Sequence, residues 1–310
     1  KVWYANKKDR SQNLVEQVKA VRPDSLYIIG LFDWHFNIVP LLYADCADKL
    51  ISVRGMLHPG ALSQKSLKKK IFLQAMKWMK ADKKHRFHAT DETEQEYIQQ
   101  VFGDETRISV AGNFPRLFPV QQVTEKTAGS LRLVSVGIIS PMKNYALVIA
   151  ALQQLKSTVH YDIYGPVKDT RYWEQCLEAI KGLPANITVA YHPELPSHKV
   201  LHKLQGQQVF ILPSKSENYG HAIVEALSAG LPVITSDTVP WLGLEEARAG
   251  LNVKLGEESS AIGNLATAIE RFATMDGATY PAYHEGASRY IRRRVDVEKL
   301  KTEYREMFNG

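Results

Sequence analysis

Short apolar segments alternate with longer segments of helical periodicity along this chain, and this alternation limits its fold more than any other feature. The clearest case is an apolar run at 209–212, a polar loop, a helical pattern from Gly220, and a second apolar run at 233–235. Gly230 stands where that helix is expected to end. Repeated units of this kind build a parallel sheet with crossover helices. The sequence therefore predicts an α/β fold.

The length of 310 residues is enough for two α/β domains, each with its own core. A polar segment without periodicity lies at 119–130 and is interpreted as a linker. We therefore place an N-terminal domain at 1–120 and a C-terminal domain at 131–285. A C-terminal helix is predicted at 286–310, and it is a candidate to pack back on the N-terminal domain.

One helix of the N-terminal domain carries signals at both of its ends. Asp91 and Glu94 have the spacing of a capping box, in which the second side chain bonds back to the capping residue. Gly103 follows the last apolar residue of the pattern and is expected to end the helix. These signals predict a helix over 91–102.

The composition is that of an ordinary globular protein, with 45% hydrophobic and 23% charged residues. A net charge of +6 suits a protein that handles anions such as phosphates, nucleotides or lipid head groups. Cys46 and Cys176 fit no metal or redox spacing, so two reduced thiols are expected. No apolar run reaches the roughly 20 residues that span a bilayer, and no signal peptide precedes the fold. The sequence favours a cytoplasmic protein.

Two glutamates lie near the start of the helix that follows the apolar run at 209–212. Glu217 is in the loop, and Glu225 lies about one and a half turns into the helix. The free N–H groups of the first turn suit a phosphate, and a carboxylate beside them can accept two hydrogen bonds from a vicinal diol. Taken alone, the two glutamates are more typical of carboxylates that stabilise a helix dipole.

The segment 213–233 resembles the signature of glycosyltransferase family 4, whose GT-B fold has two Rossmann-like domains facing across a cleft. The matching residues are Pro213, Ser214, Glu217, Tyr219, Gly220, Glu225, Ala226, Gly230, Pro232 and Val233. The resemblance implies that Glu217 lies by the donor sugar as a catalytic group and that Glu225 binds the ribose hydroxyls. It implies a donor site that also includes Tyr219, Gly220, His221 and Ala222.

A second match lies at 136–144, which reads Val-Gly, then Ser-Pro, then Lys-Asn, as the family does. The resemblance implies that Lys143 is a catalytic cation that neutralises the donor diphosphate, and it adds Gly137 to the donor site. Ile138 stands where the family has an arginine. A further match is the strand that ends at Gly165, where a glycine would let the nucleotide approach the backbone.

Two other segments vary the family pattern. The loop at 190–194 has His192 or Pro193 where the family has a glycine, so contacts to the base are not assigned there. Pro240 and Trp241 are similar to a variant found in one branch of the family. For Trp241, a place in the core is the alternative to a contact with ligand.

Candidates for the acceptor side lie in the N-terminal domain. Arg54 follows a predicted strand at 49–53 and is expected to point into the interdomain cleft, where an acceptor or donor phosphate would lie. His35 is a second candidate, and a structural or surface role is the alternative for both. A complete GT-B N-terminal domain opens with a strand and a glycine-rich loop; neither is found, so we expect this domain to be incomplete.

A basic helix is predicted over 64–84. The segment contains one acidic residue, Asp82, and eight lysines. The lysines are Lys65, Lys68, Lys69, Lys70, Lys77, Lys80, Lys83 and Lys84. A second stripe is formed by Leu67, Ile71, Ala75, Trp78 and Met79. Such a helix can lie on an anionic membrane as a peripheral contact on the inner surface, where a lipid-linked acceptor would be found. Alternatively, its basic face is solvated and its apolar stripe packs against the protein. No aromatic platform accompanies the lysines, so nucleic acid is not an expected partner.

The resemblance implies a retaining hexosyltransferase that moves a sugar from a UDP- or GDP-linked donor to a hydroxyl of a saccharide or lipid-linked acceptor, in polysaccharide or glycolipid assembly. No metal or cofactor is expected, because cationic side chains and a helix terminus can hold the leaving diphosphate. The alternative is a catalytically impaired nucleotide-binding module derived from such an enzyme. A dinucleotide enzyme is disfavoured, because no glycine fingerprint follows any predicted strand.

Overall fold

A computed structural model describes residues 10–63 and 66–309, and these form two compact units. The first unit holds the described residues up to Phe114 together with those from Val297, and the second unit holds Pro115–Asp296. Both units are built on parallel sheets with helices between most successive strands, so the α/β prediction is confirmed.

The first unit has a four-stranded parallel sheet in which the strands lie in sequence order. Its strands are β1 (Ser25–Ile29), β2 (Asp48–Ser52), β3 (Arg86–Ala89) and β4 (Ile108–Val110). Its helices are α1 (Arg10–Val21), α2 (Val39–Tyr43), α3 (Pro59–Ser63), α4 (Ser66–Trp78), α5 (Ala81–Lys84) and α6 (Glu92–Phe102), with a π-helical turn at Trp34–Ile38. The core includes Ile28, Ile51, Val53, Met76, Phe87 and Ile98.

The capping signals of α6 are only partly realised. The Asp91 carboxylate accepts a hydrogen bond from the N–H of Glu94 at 2.8 Å, and the helix ends at Gly103 with φ 102°. The Glu94 carboxylate, however, accepts from the N–H of Thr90 at 2.7 Å and from the N–H of Gly55 rather than from the capping residue. Glu94 therefore ties α6 to the loop after β2, where Arg54 lies.

The prediction of one helix over 64–84 is wrong. The chain forms α4 and α5 instead, and residues 64 and 65 lie outside the described part of the chain. Lys80 lies between the two helices with φ 54°, a left-handed conformation that no helix interior accepts. The alternative of a packed apolar stripe is wrong for Leu67, Ile71 and Trp78, which stay exposed. The core takes up Leu73 and Met76 instead, with Met79 partly buried against it.

The second unit has a six-stranded parallel sheet in the order β10-β9-β8-β5-β6-β7. Its strands are β5 (Ser130–Val136), β6 (Thr158–Tyr164), β7 (Ile187–His192), β8 (Val209–Leu212), β9 (Val233–Ser236) and β10 (Gly250–Val253). Its helices are α7 (Tyr145–Leu152), α8 (Thr170–Lys181), α9 (Val200–Leu204), α10 (His221–Ala229), α11 (Glu258–Thr274) and α12 (Tyr280–Arg294), with short 3-10 turns at Pro141–Lys143 and Ser197–Lys199.

The strand order of the second unit reverses between β5 and β8. Successive strands run outward from β5 in one direction and from β8 in the other. Right-handed crossovers then place the helices on opposite faces: α7 packs against α8 and α11, and α10 packs against α9 and α12. Such a switch point leaves a crevice at the carboxyl ends of the two central strands, which is where open α/β sheets bind ligands.

The segment interpreted as a linker, 119–130, is instead part of the second unit. It has no regular structure before β5, but it is bonded to the sheet and helices beside it: the N–H of Gln121 donates to the carbonyl of Ala229 at 2.9 Å. Lys126 is buried, and its ammonium donates to the carbonyls of Ser130 and Ala273. This anchoring shows why polarity alone misidentifies the segment.

The C-terminal segment forms two helices rather than one over 286–310. The chain is extended at Val295, with φ −111° and ψ 105°, between α12 and the last helix, α13 (Val297–Asn309). That last helix belongs to the first unit, where Met307 is buried with Leu50 and Ala111. Among the helices that the model describes, none is both long and apolar enough to cross a bilayer.

Candidate functional site

The best-defined polar contact at the carboxyl edge of the second sheet joins Lys143 and Glu217. The Lys143 ammonium donates to the Glu217 carboxylate at 2.5 Å, and the Ser214 hydroxyl donates to the same oxygen at 2.7 Å. The two side chains are 23% and 11% exposed. The loops after β5 and β8 therefore bring together a cation and a carboxylate that are 74 residues apart in sequence.

These two loops are held in place by backbone contacts. The N–H of Lys215 donates to the carbonyl of Met142 at 2.8 Å, which fixes the two loops to each other. The carbonyl of Ser214 accepts hydrogen bonds from the hydroxyls of Ser236 and Thr238, at the end of β9. The ion pair thus stands on a rigid support, as a site that must position charges requires.

Gly220 caps α10 in a left-handed conformation, with φ 78° and ψ 53°. The Gly220 carbonyl accepts from the N–H of Ile223 at 2.9 Å, but a glycine offers no side-chain cap, and the positive end of the helix dipole is suited to an anion. A Cβ at this position would lie 3.2 Å from Ile223 and 3.4 Å from the indole nitrogen of Trp241, in addition to its strained backbone. His221 and Ala222 form the first turn of the same helix.

Tyr219 is held by its aromatic neighbours. Its ring lies 4.8 Å from that of His221 and edge-on to Trp241 at 5.3 Å between centroids. The Trp241 indole N–H donates to the Tyr219 carbonyl, and Trp241 is itself buried. Burial raises the pKa of Tyr219 to about 12, so its hydroxyl stays protonated at neutral pH. Trp241 is therefore a core residue that supports the loop.

Glu225 lies in the second turn of α10, about 6 Å along the axis from the first residue of the helix. Its side chain is partly buried, and among the described residues no hydrogen-bond donor or ion-pair partner reaches its carboxylate. Burial raises the pKa of Glu225, and the positive charge of Arg116 opposes the shift. A carboxylate in this state has its acceptor sites open for a ligand, and desolvation strengthens any bond that it makes.

Gly137 and Gly165 lie against each other at the ends of β5 and β6. The N–H of Gly137 donates to the carbonyl of Tyr164 at 2.9 Å, and a Cβ on Gly165 would lie only 2.0 Å from the Gly137 carbonyl oxygen. Gly165 also has φ 146°. Contact between two backbones therefore explains the need for glycine at 165.

An aromatic and histidine cluster that sequence patterns did not indicate lies beside Gly165. The rings of Tyr164 and His192 are stacked 4.4 Å apart, and the imidazole of His192 lies 3.1 Å from the Asp162 carboxylate. The ammonium of Lys203 lies 5.9 Å from the centroid of the Tyr164 ring. The only signal in the sequence was the departure from glycine in the loop at 190–194.

A cavity of about 440 Å³ lies at the same edge of the sheet, between α7 and α11. Residues along its wall include Pro141, Asn144, Tyr172, Lys215, Thr238 and Glu258. No side chain predicted for the donor site lines this cavity in the described part of the chain. It flanks the Lys143 turn through Pro141 and Asn144, and its described lining includes no residue of α10.

Arg54, predicted for the acceptor side, lies in the first unit and is bound to neutral oxygens. Its guanidinium donates to the side-chain oxygen of Asn113 at 2.6 Å and to the hydroxyls of Tyr27 at 3.1 Å and Tyr304 at 3.5 Å. No carboxylate forms an ion pair with it among residues 10–63 and 66–309. Arg54 therefore keeps an unbalanced positive charge.

The Arg54 partners continue into a buried network. The imidazole of His88 is fully buried; one nitrogen lies 2.8 Å from the Ala111 carbonyl, and the other lies 2.7 Å from the Tyr27 hydroxyl and 2.8 Å from that of Ser52. Burial lowers the pKa of His88, so it is neutral and donates to the carbonyl while accepting from the hydroxyls. The network holds the Arg54 guanidinium, and the Arg54 backbone is left-handed, with φ 51°.

His35, the second acceptor-side prediction, lies in the π-helical turn at Trp34–Ile38 of the first unit. Asp33 caps this turn through the N–H of Phe36 at 2.8 Å, and the Asn37 amide donates to the Ile29 carbonyl at 2.7 Å. The turn is thus a defined structure at the end of β1. No group of three or more metal-ligating side chains occurs among the residues that the model describes.

The family model described as glycosyl transferases group 1 matches residues 120–275, which is half of the chain and most of the second unit. No curated protein sequence matches the chain. The two α/β units and their parallel sheets have the GT-B glycosyltransferase fold, as the solved structures described next also show. The chain belongs to the group 1 glycosyltransferase family; the narrower resemblance to family 4 stays a prediction.

Several solved structures are similar to the chain. HepE from Anabaena, in complex with UDP and glucose, has 18% identity and a TM-score of 0.68 over 98% of this chain and 83% of its own. A mutant of TarM from S. aureus, in complex with fondaparinux, alpha-GlcNAc-glycerol and UDP, has 15% identity and a TM-score of 0.67 over 96% of this chain. Sucrose-phosphate synthase from Thermosynechococcus elongatus has 16% identity and a TM-score of 0.65 over 99% of this chain and 81% of its own. The chain spans 58% of the length of TarM.

Proposed function

We propose that this chain is a retaining hexosyltransferase that moves a sugar from a UDP- or GDP-linked donor to a hydroxyl group. The proposal depends on the residues around the start of α10. Glu217, which pairs with Lys143, lies in the loop before this helix, and the open carboxylate of Glu225 lies in its second turn. The complexes of HepE with UDP and glucose support this class of donor.

The donor diphosphate is proposed to bind between the first turn of α10 and Lys143. The helix end offers N–H donors and a positive dipole, and Lys143 adds a full charge. A diphosphate competes with Glu217 for the Lys143 ammonium, so binding frees the Glu217 carboxylate to accept hydrogen bonds from the sugar hydroxyls. Glu225 accepts bonds from the two ribose hydroxyls, and Tyr219 lines the approach to the sugar.

In the proposed reaction, the bond between the anomeric carbon and the diphosphate oxygen breaks, and the electron pair leaves with the diphosphate. The acceptor oxygen forms its bond to the same face of the anomeric carbon, and its proton passes to the departing phosphate oxygen. Lys143 and the α10 terminus stabilise the negative charge that develops on that diphosphate. Because these groups supply the positive charge, we propose that transfer requires no metal ion and no cofactor.

The acceptor is proposed to be a saccharide or a lipid-linked saccharide in polysaccharide or glycolipid assembly. Arg54 supports this because its guanidinium contacts only neutral oxygens and retains charge for an acceptor phosphate. His35 is a second proposed contact on the acceptor side.

One observation favours an alternative, a nucleotide-binding module of reduced activity. Ile138 stands where the family pattern has an arginine, so one of the two expected cations is missing. The Ile138 side chain is 44% exposed, so packing in the core does not explain the apolar residue. Such a module would bind the nucleotide but stabilise the leaving diphosphate poorly.

Calorimetric titration of the chain with UDP, GDP and ADP tests the proposal, together with a transfer assay using UDP- and GDP-hexoses. We expect one nucleotide diphosphate to bind and its hexose to be transferred with retained configuration. Glu225→Ala should weaken binding by about 1–3 kcal/mol, the range for lost hydrogen bonds to a charged group. Glu174→Ala, at an exposed position on α8, is the matched control and should bind normally. Binding without transfer indicates the module, and no binding of any nucleotide refutes both.

A further inference from the structure

Helix α4 of the first unit exposes an unusually apolar face. Leu67, Ile71 and Trp78 are 71%, 62% and 85% exposed. At 3.6 residues per turn these three side chains fall within about 40° of one another around the helix axis. Exposed large apolar residues are unremarkable when scattered, but three on one helix face form a contact surface.

The orientation of α4 is fixed by its opposite side. Met76 and Leu73 are buried in the core of the first unit, and the ring of Phe72 contacts Phe32 edge-on at 5.4 Å. The Lys69 ammonium donates to the Ala61 carbonyl at 2.5 Å and lies 5.4 Å from the centroid of the Phe32 ring. The apolar face therefore points outward because the other face is anchored.

Lysines flank the exposed face on both sides. Lys68 lies about 60–100° from the three apolar residues on one side, and Lys70 and Lys77 lie at similar angles on the other. All three lysines are exposed, and α4 contains no aspartate or glutamate. An apolar stripe with a tryptophan, bordered by cations, is the pattern of a helix that lies in the interface of a bilayer.

We infer that the α4 face, defined as Leu67, Ile71 and Trp78 with Lys68, Lys70 and Lys77, docks the first unit on a membrane surface rich in anionic lipids. The lysines favour a membrane over a second copy of this chain. Cations around an apolar stripe attract phosphate head groups, and two copies of the same basic face would repel each other. The inference does not depend on the proposed sugar transfer. Docking would place the first unit at the surface where lipid-linked acceptors reside.

Cosedimentation with vesicles tests the inference. The whole chain is mixed with vesicles of phosphatidylcholine alone or of phosphatidylcholine with phosphatidylglycerol, at low and at high salt. We expect binding to the mixed vesicles, weakened by salt, and a blue shift of tryptophan emission that is lost in Trp78→Phe. Replacing Lys68, Lys70 and Lys77 with glutamine should weaken binding about five-fold per lysine. Replacing Leu67, Ile71 and Trp78 with glutamine should abolish it.

Matched controls exist on the second unit. Leu177 is 41% exposed on α8, and Lys156, Lys181 and Lys254 are exposed, so glutamine at these positions matches the three lysine substitutions and the leucine substitution. These controls should bind vesicles as the unsubstituted chain does, and circular dichroism should show every variant folded. Absence of binding to anionic vesicles, equal binding by the α4-face variants, or self-association abolished by the same substitutions would each overturn the inference.

Discussion

The ammonium of Lys143 and the carboxylate of Glu217 are 2.5 Å apart across the switch point of the second sheet, and both are largely shielded from solvent. This contact satisfies both charges when no donor is bound. In the proposed function, the donor diphosphate competes with Glu217 for the ammonium, and the sugar hydroxyls bind the carboxylate once it is released. The two partners should accordingly respond differently to substitution.

Lys143→Met and Glu217→Gln are predicted to have unequal effects on UDP or GDP binding. Lys143→Met removes a charged donor and should lower nucleotide affinity about 10- to 100-fold, the equivalent of about 1.5–3 kcal/mol. Glu217→Gln frees the ammonium and should leave affinity equal or higher, while transfer from the sugar nucleotide falls. Calorimetry and a transfer assay measure the two effects, with Lys156→Met as a control at an exposed position. Equal losses of affinity in both variants would show that the pair acts only as a structural support.

Glu225→Gln is predicted to make the protein relatively more stable as the pH rises. Burial raises the pKa of Glu225 above its ordinary value of 4.5, so the native state holds the proton more tightly than the unfolded state. The stabilisation from this group is complete below pH 4.5 and is lost as the pH rises through the native pKa. Glutamine has no such dependence, so the Tm difference between variant and unsubstituted chain should grow in favour of the variant as the pH rises from 4.5 through the native pKa of Glu225.

The same substitution should weaken nucleotide binding, so stability and function are expected to change in opposite directions. Glu174→Gln on the exposed surface of α8 is the control and should show neither effect. A Tm difference that is independent of pH would mean that Glu225 is well solvated in the native state.

Gly165→Ala is predicted to destabilise the second unit far more than Gly129→Ala. Both positions have positive φ, 146° and 84°, so both substitutions strain the backbone, by about 1–3 kcal/mol. At 129 nothing lies within 4 Å of the added Cβ, whereas at 165 it meets the Gly137 carbonyl oxygen at 2.0 Å. We expect a loss of about 3–5 kcal/mol at 165 in urea unfolding. Similar losses of unfolding free energy in the two variants would show that β5 and β6 can separate at little cost.

Much of the second unit could be predicted because its determinants are local. The apolar run at β8, the glycine before α10 and the glycine after it each specify their own conformation without distant partners. The pairing of Lys143 with Glu217 was not predictable in this way. It depends on the parallel register of β5 and β8, which brings their loops together.

The predictions for the first unit that proved wrong failed because contacts between residues far apart in sequence override local preferences there. The Glu94 carboxylate reaches Thr90 and Gly55 instead of its expected partner, because the loop after β2 presents an N–H to it. Helical periodicity separated a lysine face from an apolar stripe in α4, but the core takes other side chains, Phe72, Leu73 and Met76. That choice depends on contacts such as Phe32 with Phe72, which a single sequence does not reveal.

Met307→Ala is predicted to weaken the first unit selectively. Met307 is 2% exposed, and its α13 backbone carbonyl accepts a hydrogen bond from Arg86 at 2.6 Å. Truncation leaves a cavity beside Leu50 and should cost about 2–5 kcal/mol. Hydrogen exchange of the peptide containing β2 should accelerate, because its protection depends on this packing.

Glu306→Ala, one residue earlier in α13 and exposed, is the control for helix propensity and should leave exchange unchanged. Peptides from β5 in the second unit should exchange at the same rate in both variants, because β5 belongs to a separate core. Faster exchange in both units after Met307→Ala would indicate that the two cores unfold together. Unchanged exchange in β2 would mean that α13 contributes little to the first unit, despite the buried methionine and the Arg86 contact.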